Sequence, residues 1–255
     1  MTRDEVLQFL SALESGELRA ARRRDDGVWE TNSVVKEGIL EAFRLGVEVE
    51  TRIGQLQFRD RDTLPLRQPI PSGIRVVPGG TGIRRGAFLG KGVVVMPPAY
   101  INVGAYVDDG TLVDSHALVG SCAQVGKRVH LSAAVQVGGV LEPIGACPVV
   151  IEDDAFIGGG AGLYEGVCVR SRAVIAAGTI LTSSSVVYDL VNEVELRGTP
   201  ERPLTIPEGA VVVPGSRRAA GAWASTHGLS LSAALIVKYR DSRTDAKTAL
   251  ESALR

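Results

Sequence analysis

Between Ile83 and Val137 an aliphatic residue returns at every sixth position: Ile83, Leu89, Val95, Ile101, Val107, Val113, Val119, Val125, Leu131 and Val137. Four residues after each comes a small or β-branched companion, from Ala87 and Val93 through Thr111 and Ala117 to Val129 and Val135. A helix repeats near 3.6 residues and a strand at two, so neither alone buries a six-residue pattern. A short strand followed by a turn does, and three such units close a triangular coil of about eighteen residues. Stacked coils pair their main-chain groups above and below, while the aliphatic residues pile into ladders inside. The position after each inward aliphatic is often glycine or acidic, as at Gly90, Asp108, Asp114, Gly120, Gly126 and Gly138.

The phase slips across "GVLEPIGACPV" and resumes at Ile151, Ile157, Leu163, Val169, Ile175 and Leu181. This predicts a loop around 140–148 inserted into an otherwise continuous array. The expected fold is mainly β, a left-handed parallel β-helix of hexapeptide repeats.

The flanks read differently. Thr2 and Glu5 have capping-box spacing ahead of Val6, Phe9, Leu10 and Leu13 on one helical face, with Gly16 as a stop. A second helix is expected after Asn32 or Ser33, burying Val35, Ile39, Ala42 and Phe43 and ending at Gly46. The Asp-Gly signal in "RRRDDGVWE" between them suggests a short hairpin. After residue 186 a polar excursion reads as a hairpin or loop, "AVVVPGSR" as a strand, Ala233 to Lys238 as another, and the end from about Thr244 as a helix. The division expected is a small helical N-terminal domain at 1–70, the β-helix at 71–216 and a C-terminal strand and helix at 217–255. These appendages would cover coil ends that are otherwise open sheet edges.

Composition narrows the picture. Aromatic residues make up 5% of the 255 residues and glycine contributes thirty, which suits a narrow interior of small side chains. A net charge of −1 gives no electrostatic reason to expect nucleic acid or an anionic membrane as partner. No apolar run reaches membrane length, and the amino terminus lacks the basic-then-apolar order of a secretion signal. Three cysteines without metal-ligand spacing fit reduced thiols in a cytoplasm. His116 and His130 are 14 residues apart, not a whole coil, so zinc held by stacked histidines lacks support.

Several stretches resemble the tetrahydrodipicolinate N-succinyltransferases of lysine and diaminopimelate biosynthesis. They are "GIRVVPGG", "RRGAFLGKGVVVMPPAYINVGAYVDDGTLVDSHALVGSCAQVGKRVHLS", "GGVLEPIGACPVVIEDDAFIG" and "AALIVKYRDSRTDAKTALESALR", with "VVKEGILEAFRLG" near the amino terminus. The resemblance implies a homotrimer with active sites in grooves between subunits. It further implies succinyl-CoA as donor co-substrate, a small-molecule acceptor amine and no metal.

It also implies roles for Asp114 and Arg75, and the chemistry of an acyl-CoA groove adds Ser121, Gly139, Ala177, Gly178, Arg217 and Arg218 as candidates. Asp114 falls at the family's substrate-contacting aspartate and would orient the amine and accept its proton; a turn aspartate bonding its own backbone is the competing reading. Arg75 matches an acceptor-binding arginine, against which stands a structural salt bridge. Ser121 would donate to substrate or be an ordinary turn serine. Gly139, Ala177 and Gly178 would meet the CoA arm, although coil turns require glycine for geometry as well. Arg217 and Arg218 are expected to face the CoA phosphates. One departure is visible: where the family carries a glutamate that approaches the amine this chain has Gly162, with Glu165 three residues on.

Overall fold

The hexad residues form the interior of a three-sided prism. The computed structural model describes residues 1–199 and 202–241. Every inward aliphatic from Ile83 to Leu181 is buried, and so is every small companion from Ala87 to Thr179. Two-residue parallel strands carry them, and successive coils pair with partners eighteen residues apart, as Tyr106 does with Gln124 and Leu112 with His130. The chain is a left-handed parallel β-helix.

Three sheets make the faces. The first runs through Phe88–Leu89, Tyr106–Val107, Gln124–Val125, Val150–Ile151, Cys168–Val169 and Thr205–Ile206. A second, longer face runs through Arg75–Val76, Val94–Val95, Leu112–Val113, His130–Leu131, Phe156–Ile157, Val174–Ile175 and Ala210–Arg218. The third holds Gly82–Ile83, Tyr100–Ile101, Leu118–Val119, Gln136–Val137, Gly162–Leu163 and Ile180–Leu181. The insertion leaves the stack intact, because Gln124 pairs with Val150 and His130 with Phe156 across it.

Two helices cover the first face and one adjoining corner. Helix α1, Arg3–Glu14, starts at the Thr2/Glu5 capping box and buries Val6, Phe9, Leu10 and Leu13. Helix α2, Ser33–Leu45, buries Val35, Ile39 and Ala42, with Phe43 only partly covered. Their apolar faces share a cluster with Val103 and Cys122 of the prism. The helix-linking hairpin pairs Ala21–Arg23 with Trp29–Thr31, and its basic run is partly neutralised by Arg24 bonding Asp26 at 2.6 Å. A second hairpin, Glu48–Ile53 with Leu56–Arg61, was not expected from the sequence, although Val49, Thr51, Ile53, Leu56 and Phe58 alternate with polar residues around Gly54; the hairpin is almost wholly exposed.

Docking of this region is polar as well as apolar. The Arg19 guanidinium lies 3.6 Å from the Tyr106 ring centroid, and its Nε donates to Gln124. Trp29 Nε1 and Arg170 both donate to Glu152, which is only 6% exposed. Lys36, fully buried in α2, donates to the carbonyls of Pro143 and Ala146 and so fastens the inserted loop.

At the far end the long face continues beyond the coils. Ser230–Tyr239 pairs antiparallel with Ala210–Arg218 and is followed across the sheet by the hairpin Val186–Asp189 and Val194–Arg197. These strands occupy the edge that the last coil would leave open. The helix expected from Thr244 lies outside the described residues. No helix among the described residues is long and apolar enough to cross a membrane.

Candidate active site

Corner geometry decides where each expected site residue falls. A corner residue follows each inward aliphatic, and the third residue of many corners has left-handed backbone, as at His116 (φ 62°), Ala134 (φ 59°), Gly160 (φ 67°) and Gly178 (φ 72°). Backbone bonds stack these corners: His116 donates to Pro98, Ala134 to Ser115, Gly160 to Ala133 and Gly178 to Gly159.

Asp114 therefore stands on the corner between the long face and the third face, half-buried, with Ala177 and Gly178 on that same corner. Three coil steps separate Asp114 from Ala176, about 14 Å along the prism axis. Between them the corner presents only Ser132, Ala133, Ala134, Gly158, Gly159 and Gly160, leaving a smooth wall. The close approach is required at Gly158, where a β-carbon would come within 2.5 Å of the Ala177 nitrogen.

Ser121 and Gly139 stand on a different corner, between the third face and the first. They stack on each other: a β-carbon at Gly139 would lie 2.7 Å from the Ser121 nitrogen, so coil packing alone demands glycine there. Arg75 lies on the long face, exposed, two coils below Leu112. No carboxylate of the described residues forms an ion pair with it. One chain thus gathers Asp114, Ala177 and Gly178 along one edge and leaves Ser121 and Gly139 on the next.

The Asp114 carboxylate accepts from the Ser115 backbone N–H at 2.7 Å, the bond of a turn aspartate, which leaves its second oxygen available. His130 is outward on the long face, diagonal to Asp114 and tilted against Phe156 with ring centroids 5.0 Å apart. Burial lowers the His130 pKa below the usual histidine value, and the Asp114 charge opposes that shift. Burial thus biases the imidazole toward its neutral form.

Gly162 lies on the third face beneath Tyr164, with Tyr164 filling the space where a side chain at 162 would project. Glu165 does not turn toward Asp114. It sits on the Ser121–Gly139 corner, where its Oε2 accepts from the Ser183 N–H and Oγ at 3.1 and 2.6 Å. The sequence reading passed over Ser132 and the corner 158–160 as neighbours of Asp114. Sorting the hexads by face, every third one together, would have found them.

Residues 1–45 match the family described as "Tetrahydrodipicolinate N-succinyltransferase N-terminal", and residues 148–183 match "Hexapeptide repeat of succinyl-transferase". A 2,3,4,5-tetrahydropyridine-2,6-dicarboxylate N-succinyltransferase of Polynucleobacter asymbioticus is 44% identical, the alignment covering 99% of this chain and 90% of that protein. Proteins of the same name from Albidiferax ferrireducens and Aromatoleum aromaticum are 45% and 44% identical, each over 99% of this chain and 89% of theirs. With kinship running through the helical region, the coils and the C-terminal strands alike, this chain belongs to the tetrahydrodipicolinate N-succinyltransferase family.

Proposed function

We propose that this protein transfers a succinyl group from succinyl-CoA to the amino group of tetrahydrodipicolinate in its opened form, 2-amino-6-oxopimelate, as a cytoplasmic enzyme of lysine and diaminopimelate biosynthesis. The observation that carries the reading is the 44% identity across 99% of the chain to a protein bearing that activity in its name. The corner beside Asp114 supports it, because an acidic side chain at the foot of a wall of small residues suits an amine placed against a long thioester.

In the reaction the amine nitrogen attacks the thioester carbonyl carbon, the N–C bond forms, and the C–S bond breaks to release the CoA thiol. Asp114 orients the amine and takes its proton as the tetrahedral adduct forms. Arg75 pairs with an acceptor carboxylate. Ser121 donates a hydroxyl to substrate, while Gly139, Ala177 and Gly178 admit the pantetheine arm close to the backbone. Because Ser121 and Gly139 lie on another corner from Asp114, a complete site requires a second copy of the chain. A homotrimer with sites between subunits meets that requirement.

Steady-state kinetics with succinyl-CoA and acetyl-CoA on the same acceptor test the donor. An advantage of at least about tenfold for succinyl-CoA is expected, the scale of a few added contacts in a groove. Preference for acetyl-CoA would move the reaction to a different acyl group, with Gly162 as the residue to examine. Asp114→Asn should lower kcat by about 10²- to 10⁴-fold, and near-normal turnover would remove Asp114 from the chemistry. Sedimentation of the full chain tests the trimer.

A further inference from the structure

The prism has three corners, and the reaction proposed above draws on two of them. The remaining corner joins the first face to the long face and carries Asp108, Gly126, Glu152 and Arg170 in successive coils. The segment that links the two helices leans over this corner and leaves a cavity of about 230 Å³ beneath it. Arg19, Arg23 and Trp29 line the cavity from the linking segment, and Asp108, Gly126 and Asp153 line it from the prism. Pockets for drug-sized molecules run to roughly 300–1,000 Å³, so an occupant here is small.

The charges around the cavity do not cancel one another in pairs. Glu152 is fully engaged, accepting from Trp29, Arg170 and both the N–H and the hydroxyl of Ser171. Arg19 is not. Its Nε is held by Gln124 and its plane by Tyr106, but its terminal nitrogens have no partner among the described residues, and no carboxylate there forms an ion pair with it. Burial lowers the Arg19 pKa, while Tyr106, Asp108 and Asp153 act in the opposite direction. On the prism side, Asp108 Oδ1 accepts from the Asp109 N–H at 2.8 Å, and Oδ2 has no partner among the described residues. Asp153 Oδ1 accepts from the Lys127 N–H at 2.9 Å; its Oδ2 lies 4.0 Å from Arg128, which is itself committed to Asp154 through two bonds. Gly126 leaves the Asp153 carboxylate uncovered, because a β-carbon there would come within 2.4 Å of Oδ1.

We propose that this cavity binds a small basic α-amino acid, its carboxylate on the terminal nitrogens of Arg19 and its ammonium groups on Asp108 and Asp153. A guanidinium without a carboxylate calls for an anion, and its planar fork suits a carboxylate. Two prism carboxylates with open oxygens call for cations, and they repel a ligand that is wholly anionic, such as a phosphate. The indole of Trp29 adds a face that favours an ammonium group. A molecule with one carboxylate and two amines meets all of these demands at once. Because the walls belong to both the linking segment and the prism, the occupant ties the helical region to the coils. The site stands at the opposite end of the long face from the Asp114 corner, and it does not depend on the succinyl-transfer reading.

The test titrates the full chain with three probes by calorimetry and by melting temperature. L-Lysine carries all three charged groups, L-norleucine lacks the side-chain ammonium, and cadaverine lacks the carboxylate. L-Lysine should bind and raise the melting temperature in proportion to its occupancy. Cadaverine should bind about ten- to hundredfold more weakly, the worth of a charge-assisted pair with Arg19, and norleucine about two- to fivefold more weakly, the worth of a half-exposed ion pair. Asp108→Asn and Asp153→Asn keep the acceptors for the Asp109 and Lys127 N–H groups and remove only charge, so neither should disturb folding. Each should weaken L-lysine by about two- to fivefold, and Arg19→Lys should weaken both L-lysine and norleucine through loss of the forked contact. Absence of L-lysine binding at millimolar concentration, or cadaverine binding as tightly as L-lysine, would overturn the assignment. So would L-lysine affinity indifferent to both aspartate variants, or lost in Asp114→Asn while they retain it, which would place the ligand on the reaction's own corner. If L-lysine binds through Asp108 but no succinyl donor is turned over, the succinyl-transfer reading fails and this site stands.

Discussion

Tyr164 closes over Gly162, two residues before it: a β-carbon at 162 would lie 2.5 Å from Cε2 of the ring and 2.9 Å from its hydroxyl. The same ring covers Gly138 one coil below, where a β-carbon would be 2.8 Å from Cδ1. Gly162→Glu must therefore displace Tyr164 and should cost roughly 1–3 kcal/mol, as overpacking does. Adding Tyr164→Val should restore most of it, a coupling that urea denaturation of both single variants and the double variant measures. An unchanged midpoint for Gly162→Glu alone would mean that the ring leaves freely.

Asp114 and His130 form a second coupled pair. Burial holds the His130 pKa below its usual value, and the Asp114 carboxylate pushes it upward. Asp114→Asn keeps the acceptor for the Ser115 N–H but removes the charge, so the His130 midpoint should fall further. Imidazole titration by NMR reads this directly, and an unmoved midpoint would separate the two residues. Because the folded pKa is depressed, the stability linked to His130 is present above the unfolded histidine pKa and lost as pH falls through the lower folded value.

Glu152 should govern part of the acid stability. Its burial alone would raise the pKa, but hydrogen bonds from Trp29 and Arg170, with the charges of Arg170 and Arg23, outweigh burial and hold it below the usual glutamate value. Stability from this network is therefore complete above the unfolded glutamate pKa and fades as pH falls through the lower folded value. Glu152→Gln should lose about 3 kcal/mol at neutral pH and show a flatter acid limb in melting temperature against pH. Parallel curves for variant and wild type would contradict this.

Arg19 fastens the helical region to the first face through Tyr106 and Gln124. Lysine keeps the charge but loses the planar stack and the Nε bond. Arg19→Lys should destabilise by about 1–2 kcal/mol in chemical denaturation, with increased proteolysis near α1. A wild-type denaturation profile would leave the docking to the apolar cluster alone.

The interior of the prism was legible because its constraint is periodic. Val113 and Thr111 announce themselves by recurring with Val107 and Ala105, and all four are buried. The hairpin 48–61 could have been read from Val49, Thr51, Ile53, Leu56 and Phe58, which alternate with polar residues around Gly54, but it lies outside the six-residue array and stays almost wholly exposed. For the candidate site, the corner position of Asp114 could be read from its place after Val113. That Ser121 and Gly139 occupy another corner required assigning each hexad to a face. Tyr164 folding back over Gly162 is a contact between one side chain and one absent side chain, and periodicity carries no record of it.

The inserted loop has a consequence for comparing relatives. Partners eighteen residues apart below it, such as Tyr106 and Gln124, become partners 26 apart across it, as Gln124 and Val150, a difference of eight. Counting by coil length through this point misassigns later residues by that amount, although the strands themselves never lose register. The loop acts as a silent frameshift in the repeat: invisible to the hydrogen-bond ladder, yet enough to place the wrong residue opposite Ser132, one coil above Asp114, in any alignment built on spacing alone.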